Sequence, residues 1–302
     1  MVRELGPSET AKRLNLAERN VYDRRVRLER KYKIAIEVPQ GRLDVPRPEE
    51  YPQRVFLKVK DGVVLIGSDA HYWPGIVSTA HKAFVKFCKE MKPAAVVMNG
   101  DVLDGATISR HLPIGWEKRP SVIEEIETCK DRLGEITIAA GKARRVWPLG
   151  NHDARFETRL ASAAPEYARV QGVHLSDHFS DWEKCWAVWI NDHVVIKHRF
   201  KSGVHAPHNN TVNAGKTLVT GHLHSLKVQP FSDYNGTRFG VDCGTLADAY
   251  GVQFTDYMED NPRSWRSGFI VLTFKDSRLL WPEVVHVTGP GEVDFRGKLI
   301  SV

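Results

Sequence analysis

The 302-residue sequence predicts an α/β (α+β) fold of two facing sheets flanked by helices, and three observations carry that expectation. Short β-branched runs alternate with longer stretches of helical periodicity from about Arg54 onward. A later, β-rich half contains two turn dipeptides, Asn191-Asp192 and Asn235-Gly236. Finally, polar clusters of Asp, Asn and His follow directly on five of the apolar runs, where loops of α/β sheets converge.

The elements follow in chain order. Between Pro7 and Lys33 the apolar residues Ala11, Leu14, Leu16, Val21, Val26 and Leu28 fit two short helices broken near Asn15, with Ser8 as N-cap. Prolines 39, 46, 48 and 52 exclude a continuous helix beyond it. The expected organisation is therefore a basic helical module over 1–37, a Pro-rich linker over 38–53 and a catalytic domain over 54–302. Within that last part the expected strands are VVLIG (63–67), AAVVM (94–98) and RRVWPL (144–149), with helices across Ile76 to Met91 and Val122 to Ala140. CWAVWIN, HVVIKH, TLVT, RFGVDCG and FIVLTF supply the second half.

Composition bounds the function. A hydrophobic share of 42% supports a large buried core, and no run approaches the roughly 20 apolar residues of a membrane span. No signal-like segment opens the chain, so a cytoplasmic location, in a bacterial host or phage-infected cell, is the expectation, with no membrane partner. Four scattered cysteines form no CxxC pair and read as buried, reduced thiols. The net charge of +6 is uneven: residues 1–42 hold eleven Lys or Arg against six acids, which leaves +1 for the rest. A compact basic segment points to a polyanionic partner.

The chemistry-bearing clusters are Ser68-Asp69-Ala70-His71, Asn99-Gly100-Asp101-Val102-Leu103-Asp104, Gly150-Asn151-His152-Asp153, His198, and Gly221-His222-Leu223-His224. Each alone is compatible with a turn, a helix cap or surface decoration. Five in series at strand ends, all of one ligand class, point to a metal site. Imidazoles, carboxylates and an amide oxygen suit Mn, Fe, Zn, Co or Ni, with Mg less favoured than an all-oxygen cage would make it. Two divalent cations against two carboxylates leave a positive site, for which phosphate is the natural guest.

The blocks DAH, GDVLD, GNHD, His198 and GHLH together resemble the calcineurin-like metallophosphoesterase superfamily over residues 54 to 290 or so. The resemblance implies a four-layer αββα sandwich and two divalent ions, manganese first among the candidates. It implies one metal held by Asp69, His71, Asp101 and His224, and a second by Asp101, Asn151, His198 and His222, with Asp101 bridging. The reaction it implies is phosphoester hydrolysis by metal-hydroxide attack on phosphorus. It also implies His152 as the general acid facing the leaving group; Asp153 is expected to orient its ring. Asp104 is a candidate partner behind a ligand, and Arg110, His111 and Arg199 are candidate phosphate contacts. Two departures stand out: Tyr72 and Arg199 follow histidines where the family often has glycine, so Tyr72 is expected to narrow the site. His205 and His208 compete with His198, which is preferred because it ends an apolar strand.

TAKRLNLAERNVYDRRVRLE resembles a helix-turn-helix of the kind joined to such domains in phage and prophage proteins. Its second helix would present Arg19, Asn20, Tyr22, Arg24 and Arg25 to DNA. A phosphodiesterase or nuclease acting on DNA is the expectation. Two other readings stay open: a nucleotide or protein phosphoesterase with a structural N-terminal hairpin, and a DNA-binding regulatory protein whose metal site is vestigial.

Overall fold

The computed structural model describes all residues except 37–50, 112, 114, 169, 255–260 and 262, so most of the expected linker lies outside the described residues. The chain forms two compact units, Met1–Pro48 with Ala164–Val170, and Glu49–Ala163 with Gln171–Val302.

In the smaller unit, α1 (Val2–Leu14) and α2 (Glu18–Tyr32) are joined by a turn at Asn15, whose φ of 49° and ψ of 48° are left-handed. Asn tolerates that geometry where most residues do not. α1 begins earlier than the pattern suggests and kinks at Gly6 (φ 75°), so Pro7 restarts the helix and Ser8 lies inside it rather than capping it. The Ser8 hydroxyl instead donates to Glu18.

Among the described residues of the larger unit the strands form two sheets. They are β1 (Val55–Leu57), β2 (Gly62–Gly67), β3 (Ala95–Met98), β4 (Arg144–Pro148), β5 (Glu183–Cys185), β6 (Val188–Ile190), β7 (Val194–Ile196) and β8 (Thr217–Thr220), then β9 (Lys227–Asp233), β10 (Gly236–Asp242), β11 (Gly268–Lys275), β12 (Arg278–Leu279), β13 (Glu283–Gly289), β14 (Glu292–Phe295) and β15 (Lys298–Ser301). One sheet runs β15-β14-β13-β11-β2-β3-β4-β5, with β12 on β11; β2 to β5 are parallel. The other runs β1-β6-β7-β8-β10-β9. The helices are α3 (Thr79–Met91), α4 (Val122–Ala140), α5 (Ala154–Ala163), α6 (Leu175–His178) and α7 (Ala206–Ala214).

The core is layered because the pleat sends alternate residues to opposite faces. Val64, Ile66, Val97 and Val146 pack between the sheets against Val188, Ile196, Val219 and Val241. Leu65, Val96 and Trp147 face the other way, toward Phe84 of α3 and Ile136 of α4. α7 lies on the second sheet, with Ala214 packed beside Leu218. The result is a helix, sheet, sheet, helix stack, in agreement with the expected architecture. Burial on both faces explains why β2 and β3 read as unbroken apolar runs.

Two further expectations need correction. CWAVWIN is not one strand: Cys185 ends β5 in the first sheet and Val188 begins β6 in the second, the chain crossing between sheets at Trp186-Ala187. The helix expected from Ile76 starts at Thr79, because the Ser78 hydroxyl accepts from the His81 N–H and caps it. The Asn191-Asp192 turn is as expected, with φ of 48° and 60° joining antiparallel β6 and β7. All four cysteines are free and buried. Among the described residues no helix is long and apolar enough to cross a membrane.

Glu125 of α4, only 1% exposed, takes the N–H groups of Gly105 (2.6 Å) and Ala106 (3.0 Å) and so pins the loop after β3. Burial first, and then the charge of Asp104, push its carboxyl from 4.5 up to about 7. The folded state therefore holds this proton more tightly than the unfolded chain. The stabilisation is complete below pH 4.5 and is lost as pH rises through 7. Urea titrations should show wild-type stability falling, relative to Glu125→Gln, by up to about 3 kcal/mol across that window. Parallel pH profiles for the two proteins would contradict this role.

Candidate metal centre

The site lies where β2, β3, β4, β7 and β8 end. Past Gly67 and Met98 the chain keeps a ladder going, with Asp69 N–H on Gly100 O (2.9 Å), His71 N–H on Asp101 O (3.0 Å) and Gly221 N–H on His198 O (3.0 Å). These bonds hold Asp69 (φ 52°), His71 (39°), Asp101 (52°), His222 (72°) and His224 (55°) in left-handed backbone. Such geometry costs on the order of 1 kcal/mol per non-glycine residue. Five instances cost several kcal/mol, which persist only because the surrounding bonds over-determine the loops.

Asp153 is the centre of that over-determination. Fully buried, its Oδ2 accepts from Asp101 N–H (2.8 Å), Gly150 N–H (2.8 Å) and Trp147 Nε1–H (3.0 Å), and its Oδ1 from Val102 N–H (3.0 Å) and Leu103 N–H (3.2 Å). The expectation that Asp153 orients His152 is thereby corrected: both oxygens are committed to the loop after β3 and to the turn before His152. The ring of His152 is set by Asp104, with Nδ1 2.7 Å from Asp104 O and 3.3 Å from Asp104 Oδ1. Burial, and then the charge of Asp101, push the Asp153 carboxyl up to about 6, with its N–H donors working the other way. Gly150 allows the two loops to close, since a Cβ there would lie 2.0 Å from Asp101 Oδ1. Gly100 does the same on the other side: a Cβ would lie 2.4 Å from His198 Nδ1, and its φ is +82°.

Six of the seven expected ligands are brought together, and the seventh, Asn151, directly precedes His152, whose N–H is on Asp101 Oδ1 at 2.8 Å. Asp69, His71 and His224 form one cluster of ligand atoms within 4.8 Å of one another, and Asp101, His198 and His222 a second. Asp101 also joins His71 and His152 in a third, so it stands between the two. His198 Nε2 lies 3.0 Å from Asp101 Oδ2, and His224 Nε2 3.0 Å from Asp69 Oδ1. His222 N–H donates to the Asp69 carboxylate at 2.9 Å.

Hydrogen bonds settle which ring nitrogen faces inward. His71 Nδ1 is 2.9 Å from Asp104 Oδ1, and His198 Nδ1 is 2.7 Å from Asn99 O. Both acceptors require Nδ1–H, so Nε2 is the nitrogen that each ring offers to a cation once it is free of a second proton. Those two Nε2 atoms and Asn151 Oδ1 are buried without a hydrogen-bond partner. Buried polar atoms are almost always bonded, so ring nitrogens and an amide oxygen left without partners at these strand ends fit a divalent cation pair.

Charge in the site is strongly coupled. Burial raises the Asp69 carboxyl, but His224 and His198 outweigh it and hold it at about 2. Burial disfavours the charged ring of His198, yet Asp101 and Asp69 lift it to about 10. His222 is pushed down to about 4 by burial and by His198. A cation entering must displace the His198 proton, so affinity rises with pH.

The remaining expectations divide. Asp104 is close behind His71, as expected. Arg199 is exposed, yet its charge reaches His222. Arg110 and His111 are exposed, and His111 O is held by Arg119. His205 and His208 belong to α7 and its cap, so His198 is the strand-end candidate. Tyr72 does not narrow the site: it is 5% exposed and its hydroxyl bonds His81 Nδ1 at 2.9 Å in the core. In α2, Arg19, Asn20, Tyr22 and Arg24 are exposed, whereas Arg25 is half-buried, paired with Glu29 at 3.6 Å and stacked over Tyr22.

Several neighbours went unread. Phe254 packs 5.1 Å from the His71 ring and Trp265 4.6 Å from that of His224. No spacing in the sequence signals either contact. Arg155, 3.1 Å from His152 Nε2, did carry a signal: it falls three residues on, where a helix returns to the same face.

No family model and no curated protein matches the chain. Solved structures similar to it include a zinc complex of Vps29 from Entamoeba histolytica (14% identity, 80% of this chain and 97% of that one, TM-score 0.38). Others are an archaeal phosphodiesterase (14%, 74% and 99%, 0.38) and a serine/threonine phosphatase from Saccharomyces cerevisiae (13%, 79% and 85%, 0.38). Likeness at these scores lends no weight to a function, which rests on the residues themselves.

Replacing Asp153 by Asn turns an amide N–H₂ toward backbone donors. Denaturant titration should show a loss of about 3 kcal/mol or more, and equilibrium dialysis a loss of metal uptake. A variant within about 1 kcal/mol of wild type that still binds metal would contradict the clamp.

Proposed function

We propose that this protein is a dinuclear-metal phosphoesterase, and that its substrate is a phosphodiester, DNA foremost. The observation that carries the reading is the convergence of His71, His198, His222 and His224 on Asp69 and Asp101, with Asn151 Oδ1 buried and unbonded in the adjoining turn. Asp69, His71, His224 and Asp101 would hold one cation, and Asp101, Asn151, His198 and His222 the other. Imidazole-rich donors of this kind favour manganese or another transition ion over calcium. Bound there, such ions supply Lewis-acid chemistry, gripping phosphate oxygens and activating water.

The chain's own residues supply the rest. His152 Nε2 lies 3.9 Å from Asp101 Oδ2, beside the centre and outside both ligand sets. Burial opposes its charge, but Asp101 and Asp104 outweigh this and raise the ring above its ordinary value. It is thus suited to give a proton to the leaving oxygen. In the hydrolysis, water adds its oxygen to phosphorus, the phosphorus to leaving-oxygen bond breaks, and that oxygen takes the His152 proton. The proton lost by water passes to solvent and His152 is reprotonated from it.

DNA is favoured by the helical module. Its second helix exposes Arg19, Asn20, Tyr22 and Arg24, and residues 1–42 carry five of the six net positive charges. Basic exposed helices bind phosphate backbones with a steep salt dependence.

His152→Ala should lower kcat on a DNA phosphodiester by about 100-fold or more, but bis(p-nitrophenyl) phosphate hydrolysis far less, since that leaving group needs no proton. Equal losses on both would contradict the general-acid role. A wild-type preference for phosphomonoesters would instead favour a nucleotide or protein phosphatase. Removing residues 1–36 should weaken DNA binding and flatten its salt dependence. An unchanged slope in a filter-binding titration would leave the module without that role.

A further inference from the structure

Arg155, in the first turn of α5, reaches back over the loop after β3. Its Nη1 donates to Asp104 O at 2.8 Å and reaches Gly105 O at 3.5 Å; its Nη2 lies 3.1 Å from His152 Nε2. The His152 tautomer follows from these contacts. Asp104 O can only accept, so Nδ1 carries the hydrogen, and Nε2 receives one from the guanidinium. Of the other half-buried arginines, Arg25, Arg119, Arg132 and Arg238 each have an acid within ion-pair distance, while Arg145 bonds only carbonyl oxygens remote from the site. Arg155 has no such partner among the described residues. The carboxylates of Asp104, Asp101 and Glu125 act on its charge without bonding it, so the guanidinium, whose planar fork matches phosphate, stays open to a direct anionic partner.

A purely structural role explains little. The loop is already held by Glu125 on the N–H groups of Gly105 and Ala106, by Arg119 on Ala106 O, and by His152 on Asp104 O. Arg155 also touches the proton donor and none of the metal ligands. Its charge therefore belongs to the side of the substrate that departs, rather than to the phosphorus under attack.

We propose that Arg155 binds a second phosphate on the leaving-group side, so that the site selects diesters whose leaving group is itself phosphorylated, as in an oligonucleotide. This rests on the phosphodiesterase reading above. On turning to that phosphate, Arg155 frees His152 Nε2 to take up a proton from solvent, which it then gives to the leaving oxygen.

The test compares thymidylyl-thymidine with its 5′- and 3′-phosphorylated forms, using manganese-loaded wild type, Arg155→Ala and Arg155→Lys. Calorimetry of thymidine 3′,5′-bisphosphate against the two monophosphates, on the same proteins, gives a readout independent of turnover. Wild type should prefer one phosphorylated dinucleotide. Arg155→Ala should lose about tenfold or more in kcat/KM on it relative to the unphosphorylated one. The extra affinity of the bisphosphate should vanish, while Arg155→Lys keeps part of both. Uniform losses on all three dinucleotides, or a bisphosphate advantage that survives in Arg155→Ala, would overturn the proposal. If wild type cleaves no dinucleotide yet hydrolyses a phosphomonoester, the phosphodiesterase reading fails first and this inference with it.

Discussion

One buried carboxylate, that of Asp153, ties together two loops that must otherwise be placed independently. It accepts from three successive N–H groups at residues 101–103 and from Gly150 N–H and the Trp147 indole. Through the first set it fixes Asp101, and through the second the turn that carries Asn151 and His152. Trp147 is itself wedged in the core beneath, so the clamp is anchored in packing as well as hydrogen bonding. Net gains of roughly 1 kcal/mol per bond are of the size needed to offset the left-handed backbone of the ligands. The strain and the clamp are two sides of one arrangement, in which short polar side chains are turned out of a strand end toward a shared centre.

The electrostatics follow from where the carboxylates are. Asp69 and Asp101 are buried among imidazoles, and each ring has one nitrogen already spoken for: His71 by Asp104 and His198 by Asn99 O. Removal of either acceptor would free the ring to rotate or change tautomer, which is how residues that touch no ligand still govern the centre. Asp104 does this twice, its carboxylate serving His71 and its carbonyl His152. That shared residue couples His152 to the candidate ligand set.

Much of this was legible in the residues, and for a physical reason. Strands buried on both faces announce themselves as apolar runs, and side chains useful to chemistry must follow them directly, so Asp69, Asp101, Asn151, His198, His222 and His224 were found by position. Asp153 was named but misread, because a carboxylate beside a histidine looks the same whether it serves the ring or the backbone. Tyr72 was misplaced for a similar reason: alternation does not say which way a residue turns once the strand has ended. α7 (Ala206–Ala214) escaped notice because its polar stretch APHNNTVNA has no apolar stripe, its buried face including Asn210 and Thr211. The aromatic contacts of Phe254 and Trp265 depend on tertiary packing alone.

The central claim is that two cations share Asp101. Crystals grown with manganese and measured at the manganese absorption edge test it directly. The account predicts two anomalous peaks, one among Asp69, His71 and His224 and one among Asn151, His198 and His222, with the Asp101 carboxylate between them. A single peak, or peaks elsewhere in the molecule, would contradict it.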